Sequence, residues 1–98
     1  LVEPYEDLQP PVFHFDLYRL GDPEELEYMG IRDYLFGDAL CLIEWPERGQ
    51  GVLPPADCQI ELKVEAAGRR MTLTAASVQG QALMNEFREA LSHGWTVD

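Results

Sequence analysis

The sequence predicts an α/β fold, because two short apolar runs typical of buried strands are separated by a helix-start pattern and followed by a hairpin pattern. The runs cover residues 12–20 and 40–45, and we expect both to form strands that are buried on both faces. Asp16 and Glu44 lie toward the carboxyl ends of the apolar stretches. Ligands of open α/β sheets bind in the crevice outside the carboxyl ends of the strands. The sequence therefore indicates Asp16 and Glu44 as the first place to look for a functional site.

Helix-forming patterns fill the segment between the two predicted strands. Asp22 can cap a helix that starts at Pro23, since proline is favoured at the first helical position. Leu26 would then face the core, and Gly30 can end the helix in a left-handed conformation. The spacing of apolar residues over 31–36 predicts a second short helix.

The other segments complete the predicted organisation. Residues 1–11 are rich in proline and acids, so we expect a connecting loop before the strand–helix–strand segment of residues 12–57. Apolar and polar residues alternate over 58–76, which predicts a β-hairpin. Apolar residues at helical spacing predict an amphipathic helix over 77–94. A length of 98 residues suits one small core, so we expect a single domain over residues 1–98.

The chain is strongly acidic, with 18 acidic against 7 basic residues and a formal net charge of −11 at pH 7. Lys63 is the only lysine, and Arg69 and Arg70 are the only adjacent arginines. Nucleic-acid binding depends on clustered Lys and Arg that neutralise phosphates. The composition therefore disfavours direct contact with DNA or RNA and favours a basic protein partner.

The two cysteines indicate neither a disulfide nor a zinc site. Cys41 lies within an apolar run and Cys58 opens the predicted hairpin, so we expect both to be small buried hydrophobic residues. Only His14 and His93 could join them as zinc ligands, and no pair has the spacing of a zinc finger. The sequence shows no signal-peptide pattern and no apolar run near the roughly 20 residues of a membrane span. We expect a soluble, cytoplasmic protein with reduced thiols.

Glu44 follows four apolar residues of the second predicted strand. This pattern is typical of a Walker B element, whose acid holds Mg²⁺ opposite a phosphate-binding loop. Any buried strand can also emerge into solvent on an acid. Both interpretations of Glu44 stay open on the pattern alone.

Asp16 lies among aromatic and apolar neighbours, so we expect it to be buried. A buried carboxylate without a partner is costly, and the candidate partners are Arg19, His14, a metal ion or an ordered water. One hypothesis is that Asp16 accepts a proton from an attacking water or orients it. The other is that a salt bridge to Arg19 fixes the end of the strand.

Three neighbours of the acids also have two interpretations each. Tyr18 and Trp45 are either core aromatic residues or the walls of a pocket that excludes water. His14 lies two residues before Asp16, so both side chains are expected on the same face of the strand. His14 is either a satisfied core histidine or a part of the site.

Taken together, the motifs and their order resemble those of the TsaE (YjeE) family of bacterial ATPases, which act in making the threonylcarbamoyladenosine modification of tRNA. The similarity runs from Leu1 to about Leu91. It rests on His14-Phe15-Asp16-Leu17-Tyr18-Arg19-Leu20, on Asp22-Pro23-Glu24-Glu25-Leu26 with Gly30, and on Ile43-Glu44-Trp45-Pro46-Glu47.

The resemblance implies a P-loop NTPase-like sheet with flanking helices, ATP and Mg²⁺ as cofactors, and action in a complex with the TsaB and TsaD proteins that involves tRNA indirectly. By the resemblance, Glu44 would bind magnesium and Asp16 would position or activate the hydrolytic water. Trp45 lies next to the metal acid in the family motif, and it is assigned with Arg69 to nucleotide binding. Arg69 falls in the hairpin turn that approaches the nucleotide base in this family.

The sequence departs from the family in one large respect. The family's nucleotide site begins with a Gly-rich loop that ends in Gly-Lys-Ser/Thr and holds the phosphates, and no such run occurs in the 98 residues. We therefore expect the chain to be the carboxyl-terminal portion of such a protein, with two buried strands, a β-hairpin and a terminal helix, and to be inactive alone. Two other functions stay open: a non-catalytic acidic protein-interaction domain, and a metal-dependent hydrolase that uses the two carboxylates alone.

Overall fold

The computed structural model describes residues 1–92, which fall into two compact units. The first unit is Leu1–Pro54, and the second starts at Pro55. The end of the helix predicted over 77–94 lies outside the described residues. The expectation of a single domain stays a prediction.

The first unit contains a three-stranded mixed sheet with the strand order β1-β2-β3. Strand β1 (Val2–Tyr5) is antiparallel to β2 (Val12–Asp16), and β2 is parallel to β3 (Leu40–Glu44). Both predicted strands are confirmed, although each ends at its acid. The expectation of a loop over residues 1–11 is wrong for β1. Proline is tolerated on an edge strand such as β1, because its missing N–H faces away from the neighbouring strand.

Two short helices connect β2 to β3, as the sequence predicts. They are α1 (Glu24–Tyr28) and α2 (Ile31–Leu35). The carboxylate of Asp22 accepts the backbone N–H of Glu24 at 2.9 Å, which confirms the predicted cap. Gly30 joins the helices with a φ of 75°, the left-handed conformation that glycine adopts without a steric penalty.

The core of the first unit lies on one face of the sheet. Its fully or almost fully buried side chains are Phe15, Leu17, Leu20, Leu26 and Ile31. The opposite face carries His14 and Leu42, and Leu42 is 41% exposed. The expectation that both strands are buried on both faces is therefore wrong, because α1 and α2 supply apolar side chains to one face only.

Cys41 faces this core, and burial raises the pKa of its thiol above the ordinary value. The Sγ of Cys41 lies 3.5 Å from the carbonyl oxygen of Tyr34, to which the thiol donates a hydrogen bond. In a Cys58→Ser variant, where Cys41 is the only thiol, we expect slower reaction with a disulfide reagent at pH 8 in the folded chain than in urea. As pH rises, the Cys41 thiol ionises at a lower pH in the unfolded chain than in the folded chain. The free energy of unfolding therefore falls in the alkaline range. Equal rates in the folded and unfolded chain would contradict the burial of Cys41.

The second unit contains the predicted hairpin and helix. Strands β4 (Cys58–Glu65) and β5 (Gly68–Ala75) pair in antiparallel fashion, and α3 (Val78–Ser92) follows. Helix α3 packs against β5. Within residues 1–92, none of the helices is both long and apolar enough to cross a membrane.

Candidate functional site

The two carboxylates predicted as functional lie side by side at one edge of the first sheet. Asp16 and Glu44 are register partners, and each is the last residue of its strand. Because β2 and β3 are parallel, both chains leave the sheet at this edge, the position of ligand crevices in α/β proteins. Both acids are exposed. We call Asp16 and Glu44 the carboxylate pair.

Asp16 does not have the buried environment that the sequence predicts. Its Oδ1 accepts the backbone N–H of Tyr18 at 3.1 Å, and its own N–H bonds to the carbonyl oxygen of Leu1 at 2.9 Å. Among residues 1–92 no ion pair joins Asp16 to Arg19, so the structural alternative of a salt bridge is not supported. The error has a physical reason: Asp16 lies on the same strand face as His14, which α1 and α2 leave uncovered.

Glu44 has a side-chain partner that the sequence did not assign to it. The Nε2 of His14 lies 2.9 Å from the Oε1 of Glu44. The side chains of His14 and Glu44 are 27% and 57% exposed, so His14 is not a core histidine. The spacing of His14 and Asp16 was the only hint in the sequence, since it places both on one face. It did not show that His14 reaches across to the neighbouring strand.

The arrangement fits a magnesium site that other ligands complete. In the described part of the chain, Oδ2 of Asp16 and Oε2 of Glu44 have no protein partner. No group of three potential ligands occurs among the same residues, so a closed all-protein metal site is absent there. Mg²⁺ usually binds one or two carboxylates and takes its remaining ligands from water and phosphates. An exposed strand end with a carboxylate oxygen free of protein partners in the described residues therefore suits Mg²⁺ better than a metal that needs a full protein shell.

A shallow concavity of about 260 Å³ opens beside Asp16. Ligand pockets usually measure roughly 300–1,000 Å³, so this concavity is too small to enclose a nucleotide. The residues that line it are Leu1, Asp16, Tyr18, Arg19, Leu20 and Glu25.

Two exposed aromatic rings stand next to the carboxylate pair. Tyr18 and Trp45 are 51% and 46% exposed, and their ring centroids are 5.1 Å apart. The guanidinium of Arg48 lies 5.8 Å from the centroid of the Tyr18 ring, within the range of a cation–π interaction. The core interpretation of the two aromatic residues is therefore wrong. No pattern in the sequence indicated Arg48 as their neighbour.

Trp45 adopts a backbone conformation that is rare for residues other than glycine. Its φ of 58° and ψ of 51° are left-handed, and Pro46 begins a 3₁₀ helix, Pro46–Gly49, directly after it. Such a conformation costs about 1–3 kcal/mol and is found most often at functional sites. The left-handed conformation turns the chain sharply after Glu44. In this conformation the Trp45 ring contacts the ring of Tyr18.

Arg69 belongs to the second unit, near the start of β5. Its Nη1 donates to the carbonyl oxygen of Gly68 at 3.1 Å, and its side chain is exposed. Asp16, Glu44 and Trp45 are thus brought together in the first unit. The nucleotide-binding role of Arg69 stays a prediction.

Comparison with known proteins gives a consistent result. The family model described as "Threonylcarbamoyl adenosine biosynthesis protein TsaE" matches residues 1–72. The chain is 48% identical over 87 residues to the tRNA threonylcarbamoyladenosine biosynthesis protein TsaE of Haemophilus influenzae, covering 89% of this chain and 55% of that protein. It is 34% identical over 89 residues to the protein of the same name from Bacillus subtilis, covering 88% and 54%.

The chain spans about half the length of these curated relatives. The family match nevertheless includes the carboxylate pair, His14, Tyr18 and Trp45, as well as both strands that position them. Sequence, fold and similarity agree, and the chain belongs to the TsaE family.

Proposed function

We propose that this chain supplies the magnesium and water half of a P-loop NTPase-like site that hydrolyses ATP. The hydrolysis would support turnover of a complex that makes the threonylcarbamoyladenosine modification of tRNA. Its relatives from Haemophilus influenzae and Bacillus subtilis are named as proteins of the biosynthesis of this nucleoside. The single observation that carries the proposal is the pairing of Asp16 with Glu44 at the carboxyl ends of two parallel strands.

Glu44 is the magnesium acid in this proposal. It follows the apolar strand β3, and Oε2 faces no protein donor in the described chain. Oε2 would hold the ion directly or through one of its waters. When bound, Mg²⁺ would neutralise charge that develops on the phosphates during transfer.

Asp16 positions the attacking water in the same proposal. Because the amide of Tyr18 holds Oδ1, the carboxylate has a fixed orientation and Oδ2 is left to accept a hydrogen bond from water. A positioned carboxylate of this kind contributes about 10²–10⁴-fold to a hydrolysis rate. The exposed Tyr18 and Trp45 rings would limit solvent access once a nucleotide covers them.

Phosphate binding requires residues outside this chain, since its 98 residues contain no Gly-rich loop followed by Gly-Lys-Ser/Thr. Trp45 and Arg69 are the residues of this chain proposed to contact the bound nucleotide. TsaB and TsaD are the proposed protein partners, and the acidic surface, with a net charge of −11, would favour basic patches on them. Contact with tRNA would then be indirect.

The half-site predicts that Mg²⁺-ATP does not stabilise the 98-residue chain. Its melting temperature should be the same with Mg²⁺-ATP as with MgCl₂ alone, because the 98 residues contain no phosphate-binding loop. A nucleotide that did bind would stabilise the chain by about 2.7 kcal/mol at a concentration of 100 times Kd. Differential scanning calorimetry measures this directly. A clear rise with Mg²⁺-ATP but not with MgCl₂ would show that the chain already holds the phosphates, contrary to the half-site.

The acidic charge also supports a second candidate, a non-catalytic protein-interaction domain. In that case Asp16 and Glu44 would be ordinary strand ends, and neutral substitutions there would not lower any ATP hydrolysis measured for the extended chain. The two candidates are therefore separated by the hydrolysis measurements on Glu44→Gln and Asp16→Asn variants described in the Discussion.

A further inference from the structure

We propose that His14 is a positioning residue that fixes the orientation of the Glu44 carboxylate. It does so by donating a hydrogen bond from Nε2 to Oε1 across the boundary between β2 and β3. The proposal rests on the proposed function where it treats Glu44 as the magnesium acid. The orientation of Glu44 itself can be measured without metal or nucleotide.

The strand register explains why His14 can reach Glu44. His14 pairs with Leu42, and Asp16 pairs with Glu44, so all four side chains lie on the same face of the sheet. The hydrogen bond therefore runs diagonally, from His14 to the residue two positions beyond its own partner. It spans 2.9 Å between Nε2 and Oε1.

The chemistry of the pair sets the direction of the hydrogen bond. An ionised carboxylate has no hydrogen to donate, so the hydrogen must reside on Nε2 of His14. This donation occupies Oε1 and leaves Oε2 of Glu44 as the oxygen available at the carboxylate edge. His14 thus determines which oxygen of Glu44 faces a ligand and in which direction.

Glu44 needs such a partner more than Asp16 does. Asp16 has a short side chain that the Tyr18 amide already holds. Glu44 has one more rotatable bond and a side chain that is 57% exposed, so without His14 it would populate several rotamers. Hydrogen-bond partners of metal-ligating carboxylates typically affect metal affinity by about 10–100-fold.

A purely structural role for His14 would be to hold β2 and β3 together. The two strands already pair at five positions from Val12↔Leu40 to Asp16↔Glu44, so one partly exposed side-chain bond adds little to their pairing. The positioning role predicts an effect on the Glu44 side chain, whereas the structural role predicts an effect on strand pairing.

The test compares His14→Phe, which keeps a ring but removes the donor, with His14→Gln, whose amide N–H has a similar reach. Side-chain three-bond couplings of Glu44 in the 98-residue chain report its rotamers by NMR. We expect one dominant rotamer in the wild type and in His14→Gln, and averaged couplings in His14→Phe. Cross-strand amide protection in β2 and β3 should be the same in all three. Unaveraged couplings in His14→Phe would overturn the positioning role.

A second readout uses Mn²⁺ alone, a paramagnetic substitute for Mg²⁺ that broadens nearby resonances. We expect His14→Phe to lower the affinity for Mn²⁺ about tenfold, so that about ten times more Mn²⁺ is needed for the same broadening at Glu44. His14→Gln should restore the wild-type affinity. Glu44→Gln should abolish the broadening. If Glu44→Gln leaves the broadening unchanged, the magnesium role of Glu44 fails and the coupling result still decides the role of His14. If His14→Phe shows the wild-type broadening while Glu44→Gln abolishes it, the positioning role of His14 fails and the magnesium role of Glu44 stands.

Discussion

Alanine at position 80 is expected to destabilise the hairpin-and-helix unit, even though alanine favours helix over glycine by about 1 kcal/mol. Gly80 is buried in the first turn of α3. A Cβ at this position would overlap the carbonyl oxygen of Asp57 and lie 3.1 Å from the Sγ of Cys58. Contact with backbone cannot be relieved by rotating a side chain, so the helix and the start of β4 would have to separate.

Three hydrogen bonds hold the two segments at this close approach, and a fourth caps the start of α3. The Asp57 carbonyl accepts the N–H of Ala76 at 2.8 Å, and the Asp57 carboxylate accepts the hydroxyl of Ser77 at 2.7 Å. The Ser77 oxygen caps α3 by accepting the N–H of Gly80 at 3.0 Å. The thiol of Cys58 lies 3.3 Å from the Gly80 carbonyl oxygen. A shift of the helix away from the start of β4 that makes room for a methyl group would weaken the three bonds between the segments.

Urea denaturation of the 98-residue chain, followed by amide exchange in β4 and β5, measures the effect of Gly80→Ala. Overpacking typically costs about 1–3 kcal/mol, which exceeds the helix-propensity gain for most of that range. Gln79→Ala is the matched control, since Gln79 is exposed in the same turn. It should be neutral or slightly stabilising. If Gly80→Ala is as stable as Gln79→Ala, the close packing of α3 on the start of β4 is wrong.

Neutral substitutions in the carboxylate pair are expected to slow ATP hydrolysis strongly in the chain extended to the length of its relatives. Asp16→Asn keeps the shape of the side chain but weakens its acceptor strength, so the rate should fall about 10²–10⁴-fold. Glu44→Gln removes the negative charge proposed to hold Mg²⁺, so a loss of several kcal/mol in transition-state stabilisation is expected. Phosphate release in steady state measures both. Glu24→Gln, an exposed acid of α1, is the matched control and should hydrolyse ATP like the wild type.

The sequence predicted the strands, the two helices between them and the hairpin, because each has a local pattern. Apolar runs, the Asp22 cap and the alternation over 58–76 reflect interactions within a few residues of each other. The choice of Asp16 and Glu44 as candidate site residues rested on their places at the ends of apolar runs, whereas their pairing became visible only in the structure.

The features that the sequence did not reveal depend on distant partners or on rare backbone geometry. Strand β1 forms only because β2 offers it an edge, and its proline obscured that pairing. An apolar run cannot show which of its faces a helix will cover, and Leu42 is consequently more exposed than predicted. The left-handed conformation of Trp45 has no marker, because the region is usually occupied by glycine or asparagine. The bond from His14 to Glu44 required the strand register.

The magnesium dependence of ATP hydrolysis distinguishes the proposed role of Glu44 in holding magnesium from that of Asp16 in positioning water. The rate is measured against Mg²⁺ concentration for the extended chain and for its Glu44→Gln and Asp16→Asn variants. We expect Glu44→Gln to raise the Mg²⁺ concentration needed for half-maximal rate, and Asp16→Asn to lower the maximal rate without changing that concentration. A Glu44→Gln variant with the wild-type rate and the wild-type magnesium dependence would contradict the proposed role of Glu44.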